Sequence, residues 1–196
     1  MSDAPNLSDD DEKGCHHALL IIDMINGFDF PDGERLRPQA EAVAEPIAAL
    51  AARARAAEVP VIYVNDNFGR WRSDFRRVIK HVRAHTPGAA IAERLAPQER
   101  DYFVLKPRHS GFLGTSLEVL LGHLKTRCLI LTGIAGDLCV LFTAVDAYMR
   151  GYELRAPGDC IASVDEANNR RALELLRESM RVDTSPAESI DLRRES

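Results

Sequence analysis

The chain has 196 residues, 45% of them hydrophobic and 28% charged, enough apolar material for one packed core and too little length for two independent domains of ordinary size. Its net charge is −5, with arginines scattered among acids, which excludes the basic face that nucleic acid or an anionic membrane requires. No apolar run reaches the length of a membrane span, and the opening MSDAPNLSDDDEKG is polar and acidic, unlike a secretory signal. A cytoplasmic protein acting on a small molecule is expected.

Residues 1–14 read as a disordered acidic tail, because they hold no large apolar group to offset the entropy of ordering them. Residues 15–196 then form a single domain. ALLIID (18–23) is a short apolar strand. The Ala-rich segment from Pro38 to Glu58 has helical periodicity, with Val43, Ile47 and Leu50 on its buried side. PVIYVND (60–66) is a second strand, and a helix from about Ser73 to His85 leads to the turn TPGA. YFVLK (102–106) is a third strand, followed by a helix from Thr115 to Leu124 that Ser110 and Thr115 are placed to cap.

CLILT (128–132) is the fourth strand. After it, 137–150 has helical spacing, with Leu138, Leu141, Phe142, Val145 and Tyr148 on one side. YELRAP (152–157) is the fifth strand, and a helix from Asp165 to Met180 precedes a weak last strand near Val182. Strands alternating with helices give a parallel sheet covered on both faces, a three-layer α/β/α sandwich.

Such sheets collect their functional residues at the carboxyl ends of the strands. There the sequence places Asp23, Asp66, Lys106 and, in the first turn of the helix after the fourth strand, Cys139. Of the four cysteines, Cys15 sits at the end of the charged tail, Cys128 lies inside a strand, and no CxxC or zinc-finger spacing links any of them. An intracellular chain seldom pairs its cysteines. Cys139 differs in its address: a helix N-terminus and a nearby cation favour the thiolate, which makes it a candidate nucleophile. The alternative is an inert buried cysteine.

Asp23 follows a wholly apolar strand, so its charge must be compensated. A salt bridge to Lys106 is one explanation. Proton exchange with the Cys139 thiol, with Lys106 supporting both groups, is the other. In GIAGD, just before Cys139, the backbone N–H groups of Ala135 and Cys139 are candidate oxyanion donors. A dinucleotide site competes for the same glycines, but TGIAGDLC lacks the GxGxxG spacing.

LLIIDMINGF, LKPRHSGFLGTSLEVLL and TGIAGDLCVLFTAVDAYMRGYEL, in that order and spanning most of the chain from Ala18 to Ser185, resemble the three motifs of the isochorismatase-like cysteine hydrolase superfamily. The resemblance implies a six-stranded, mostly parallel Rossmann-like sheet, homo-oligomeric assembly, and a catalytic triad on Asp23, Lys106 and Cys139. It also implies a non-proline cis peptide between Ile134 and Ala135. Two positions depart from the pattern. Ile25 stands where many members have Gln, and Asp66 is followed by Asn67 and Phe68 where the zinc-binding nicotinamidases have a DxH pair. His81 and His85 share a helix face, but no third ligand accompanies them. No metal and no cofactor are expected, and nicotinamide is disfavoured as substrate.

Substrate recognition is assigned to NDNFGRWR (65–72), where Trp71 would pack over a planar amide and Arg70 or Arg72 would pair a carboxylate. Solvated loop arginines are the alternative. Asn67, Phe28 and Phe112 are expected as pocket walls. The function anticipated is hydrolysis of a linear C–N amide, ureido or carbamoyl bond through a covalent acyl-enzyme. Vinyl-ether hydrolysis and a noncatalytic binding role are the rivals, and an intact triad with a thiol speaks against both.

Overall fold

The computed structural model describes residues 16–67, 69 and 74–192. Six parallel strands form one sheet: β1 (His17–Ile22), β2 (Val61–Asp66), β3 (Tyr102–Lys106), β4 (Cys128–Ile134), β5 (Glu153–Arg155) and β6 (Ile161–Ala162). Their order is β3-β2-β1-β4-β5, with β6 also on β4. β5 pairs with the first half of β4, at Cys128 to Ile130, and β6 with its end, at Gly133 and Ile134.

Alternate residues of β1 feed two cores. Leu19 and Ile21 pack with α1 (Gly33–Ala56), α2 (Phe75–His85) and α3 (Ala89–Arg94). Ala18, Leu20 and Ile22 pack with α4 (Leu117–His123), α5 (Leu141–Met149) and α6 (Glu166–Met180). Burial on both faces explains why the strand reads as an unbroken apolar run. The result is the three-layer sandwich expected from the sequence. Its strand order reverses between β1 and β4, which opens a crevice at their carboxyl ends.

Three expectations about the elements need correction. The last strand is Ile161–Ala162, not the segment near Val182, where Asp183 makes only an isolated bridge to Arg155. Two residues are too few to carry a periodic signal. The helix after β4 opens with a π-helical turn over Gly136–Val140 before α5 begins. Of the apolar side read from the periodicity, Leu138, Phe142 and Tyr148 are about half exposed, while Val140, Thr143, Ala144 and Ala147 are the residues buried against the sheet. Small residues let the helix lie close to the sheet, and the larger apolar side chains are turned outward.

Cys139 and Cys160 are free thiols. Among the described residues no helix is long and apolar enough to cross a membrane. The buried face of α5 predicts that Ala144→Leu will destabilise the protein by about 1–3 kcal/mol through overpacking. Met149→Gln, on the exposed side, should change stability by less than about 0.5 kcal/mol. Urea midpoints of the two variants test the assignment.

Candidate active site

Asp23 sits one residue beyond β1 in the left-handed backbone region (φ 53°), a conformation that Asp tolerates better than bulkier side chains do. Its N–H donates to the Val64 carbonyl at 2.9 Å, carrying the β1–β2 ladder past the strand end. The side chain is nearly buried. One oxygen accepts from the Asp66 N–H at 2.7 Å, and the other meets the Lys106 ammonium at 2.8 Å.

Lys106, the last residue of β3, is fully buried. Its Nζ reaches the Cys139 Sγ at 3.4 Å and lies 3.6 Å from the Asp66 carboxylate. Three strand ends and one helical turn therefore converge on one ammonium group.

Two glycines make the convergence possible. Gly133 has φ 112°, and a Cβ there would stand 2.0 Å from the Ile22 carbonyl oxygen, so the end of β4 can approach β1 only without a side chain. At Gly136 a Cβ would meet the Asn169 Oδ1 at 2.1 Å. This closeness lets Ser163 accept from the Asp137 N–H at 3.1 Å and donate to Asn169 at 3.0 Å, which pins the turn that carries Cys139. The peptide between Ile134 and Ala135 is cis, as the family resemblance implied. Ala135 accepts through its carbonyl from the Leu138 and Val140 N–H groups, each at 3.1 Å.

The electrostatics differ from the expected thiolate. Burial, and then the adjacent Asp23 carboxylate, push the Cys139 thiol up to about 12 against the pull of Lys106. Burial also raises Asp23, opposed by Lys106, by a hydrogen bond from the thiol and by the Asp66 N–H. Burial pulls Lys106 down, but Asp23, Cys139 and Asp66 together lift it above the ordinary lysine range. The resting site thus holds a charged lysine, an acid and a protonated thiol. The cation is already engaged by two carboxylates, and the Asp23 carboxyl is the acid in hydrogen-bond contact with the thiol.

The remaining sequence-selected residues are spread more widely. Asn67 donates from its N–H to the Lys106 carbonyl at 3.0 Å and accepts from the Gly69 N–H at 2.8 Å, so it shapes the loop after β2. Phe28 is buried in the larger core with its ring 6.4 Å from Phe30. Phe112 packs on the other face, 6.0 Å from Tyr152 and 4.8 Å beneath the Arg150 guanidinium. Phe68, Arg70, Trp71 and Arg72 lie outside the described residues, as do Cys15 and the acidic tail.

Neither expected cap is the N-cap of α4, which is Ser116: Thr115 accepts from the Leu117 N–H at 3.1 Å in a local turn just before the helix, and Ser110 bonds to Asp146 of α5. Among the described residues no group of three or more His, Cys, Asp or Glu side chains is arranged to hold a metal ion. His81 is exposed on α2.

Two site residues escaped the sequence reading. His109 is exposed, with its Nδ1 3.8 Å from the Cys139 Sγ and its ring 5.7 Å from Phe142. Its position three residues past Lys106, in a loop at the carboxyl end of a strand, is a signal that could have found it. Thr143 accepts from the Gly111 N–H at 3.0 Å and donates to the Cys139 carbonyl at 2.6 Å, tying the His109 loop to the nucleophile turn. Its spacing of four from Cys139 placed it on the same side of the helix.

A buried acid and lysine beside a free thiol, at the switch point of a parallel sheet, define a cysteine-based α/β protein of the isochorismatase fold. The chain belongs to the isochorismatase family: the model of the isochorismatase domain matches residues 17–188. It is 42% identical over 173 residues, 88% of this chain and 95% of the other, to an uncharacterized isochorismatase family protein, YaaI, of Bacillus subtilis. It is 30% identical over 156 residues to the maleamate amidohydrolase of Pseudomonas putida, covering 76% of this chain and 73% of that one. The crystal structure of an isochorismatase family protein from Desulfovibrio vulgaris superposes with a TM-score of 0.71 at 26% identity, over 89% of this chain and 96% of that one.

The charge arrangement makes opposite predictions for two variants. Lys106→Met removes the cation that opposes the rise of the thiol, so alkylation of Cys139 by iodoacetamide at a fixed, mildly alkaline pH should slow. Asp23→Asn removes the carboxylate that raises it, so alkylation should quicken. Second-order labelling rates, with peptide mapping to separate Cys139 from Cys160, check both signs.

Proposed function

We propose that this protein hydrolyses a linear C–N amide, ureido or carbamoyl bond of a small molecule through a covalent acyl-enzyme, with Cys139 as nucleophile. The observation that carries this reading is the single ammonium of Lys106 held 2.8 Å from Asp23 and 3.4 Å from the Cys139 Sγ, with the acid and the lysine sealed from solvent. A structural salt bridge has no need of a free thiol at its third corner.

In the first step the thiol proton passes to Asp23 while Sγ bonds to the substrate carbonyl carbon. The N–H groups of Ala135 and Cys139 are the proposed donors to the resulting oxyanion. Collapse breaks the C–N bond, and the leaving ammonia or amine takes the proton from Asp23. Water then gives a proton to Asp23 and attacks the thioester. The C–S bond breaks, Cys139 is reprotonated, and the acid product leaves. Lys106 stays charged throughout and holds the carboxylate in place.

The similarity to a maleamate amidohydrolase supports the amide form of the reaction. Vinyl-ether hydrolysis makes no use of the thiol. The loop of residues 67–72 remains the proposed recognition segment, with Asn67 shaping its start.

Ammonia release from a panel of short amides and ureides should reveal a substrate. On it, Cys139→Ser and Asp23→Asn should each lower kcat/KM by at least ~100-fold while the protein stays folded. Retention of near wild-type rates by either variant would overturn the covalent mechanism. Activity should also survive dialysis against a strong chelator, and loss that zinc alone restores would return His81 and Asp66 as ligand candidates.

A further inference from the structure

The site has two sides. On the buried side, Lys106 is matched by Asp23 at 2.8 Å and Asp66 at 3.6 Å, so two carboxylates surround one ammonium next to a protonated thiol. This pocket offers no net attraction to a negatively charged group. On the solvent side stands His109, exposed, with Nδ1 3.8 Å from the Sγ. An acyl group bonded to that sulfur would lie within reach of the imidazole.

The position of His109 is fixed. The next residue, Ser110, bonds to Asp146 of α5 and accepts from the Phe112 N–H at 3.1 Å. Gly111 donates to Thr143, which donates to the Cys139 carbonyl. The ring is backed by Phe142 at 5.7 Å. The loop and the nucleophile turn are thus one hydrogen-bonded unit, with the imidazole held at a set distance from the sulfur.

The charges around the ring leave it available. Phe142 carries none, and Asp146 is engaged by Ser110 and by Arg150 at 2.9 Å. Arg108, the preceding residue, is exposed and adds positive potential to the same loop. Among the described residues the polar contact of the His109 side chain is with the Cys139 Sγ. An imidazole beside the Cys139 Sγ that is paired with no carboxylate among the described residues can, through a ring N–H, bind an anionic ligand group.

Building on the cysteine-hydrolase reading above, we propose that His109 is a specificity residue that binds a carboxylate of the substrate on the solvent side of Cys139. The preferred substrates are then short amides or ureides whose acyl part also carries an acid group, in preference to neutral amides of the same size.

Two small alkylating agents of equal reach test this without knowledge of the substrate. Iodoacetate and iodoacetamide both transfer a two-carbon unit to Sγ with loss of iodide, and they differ in bearing a carboxylate or an amide. The ratio of their labelling rates at Cys139 cancels any general change in thiol reactivity. At one fixed pH, His109→Gln should lower the iodoacetate-to-iodoacetamide ratio about tenfold, the size of one strong hydrogen bond to a carboxylate.

His109→Lys should keep the wild-type preference. His109→Asn serves as a second variant if Gln disturbs the loop. A ratio in both amide variants within about twofold of wild type would overturn the carboxylate subsite alone. If neither reagent labels Cys139 ahead of Cys160, the nucleophile assignment fails and this inference fails with it.

Discussion

The buried ammonium of Lys106 is the constraint on which the site depends. A lysine with no exposed surface is tolerated only with partners in place, because removing one from a buried ion pair leaves a charge that costs several kcal/mol. Here the partners come from different strands: Asp23 from β1 and Asp66 from β2, with the Cys139 sulfur supplied by the turn after β4. The ion pair therefore sets the relative positions of three strand ends. It also explains why those strands must end level with one another, as the pairing of Asp66 with Lys106 shows.

That arrangement has a chemical consequence. Burial first, and then the Asp23 carboxylate, raise the thiol, and they outweigh the opposing pull of Lys106. In the proposed mechanism the thiol becomes a nucleophile as Asp23 accepts its proton. The acid and the thiol act as a pair, and neither titrates independently of the other.

Around this centre, close backbone approach does most of the positioning. Gly133 and Gly136 admit the Ile22 carbonyl and the Asn169 amide where any side chain would collide. The chain then changes from strand to π-helical turn within a few residues. Such turns recur at functional sites because the altered helical register re-aims a side chain. The hydrogen bonds from Ser110, Gly111 and Thr143 extend the same rigidity outward to the loop that carries His109.

Much of this was legible in the sequence. Apolar runs ending in Asp23, Asp66 and Lys106 fixed the strands and their functional edge, since burial on both faces leaves so plain a signature. The family resemblance of the motifs implied the cis peptide and singled out Asp23, Lys106 and Cys139, which the fold brings together. Where the reading failed, the deciding quantity was contact in space. The buried side of α5 follows from how close the helix lies to the sheet, and its periodicity alone favoured the larger residues. The two-residue β6 exists because the end of β4 has a free edge beyond β5. The state of the Cys139 thiol depends on its burial and on the Asp23 and Lys106 charges beside it. The nearness of His109 to Cys139 depends on a 3.8 Å approach between a loop and the π-helical turn, 30 residues apart in the chain. Sequence periodicity records which residues prefer burial, while distances between chain segments, and the charges they balance, arise only when the segments pack.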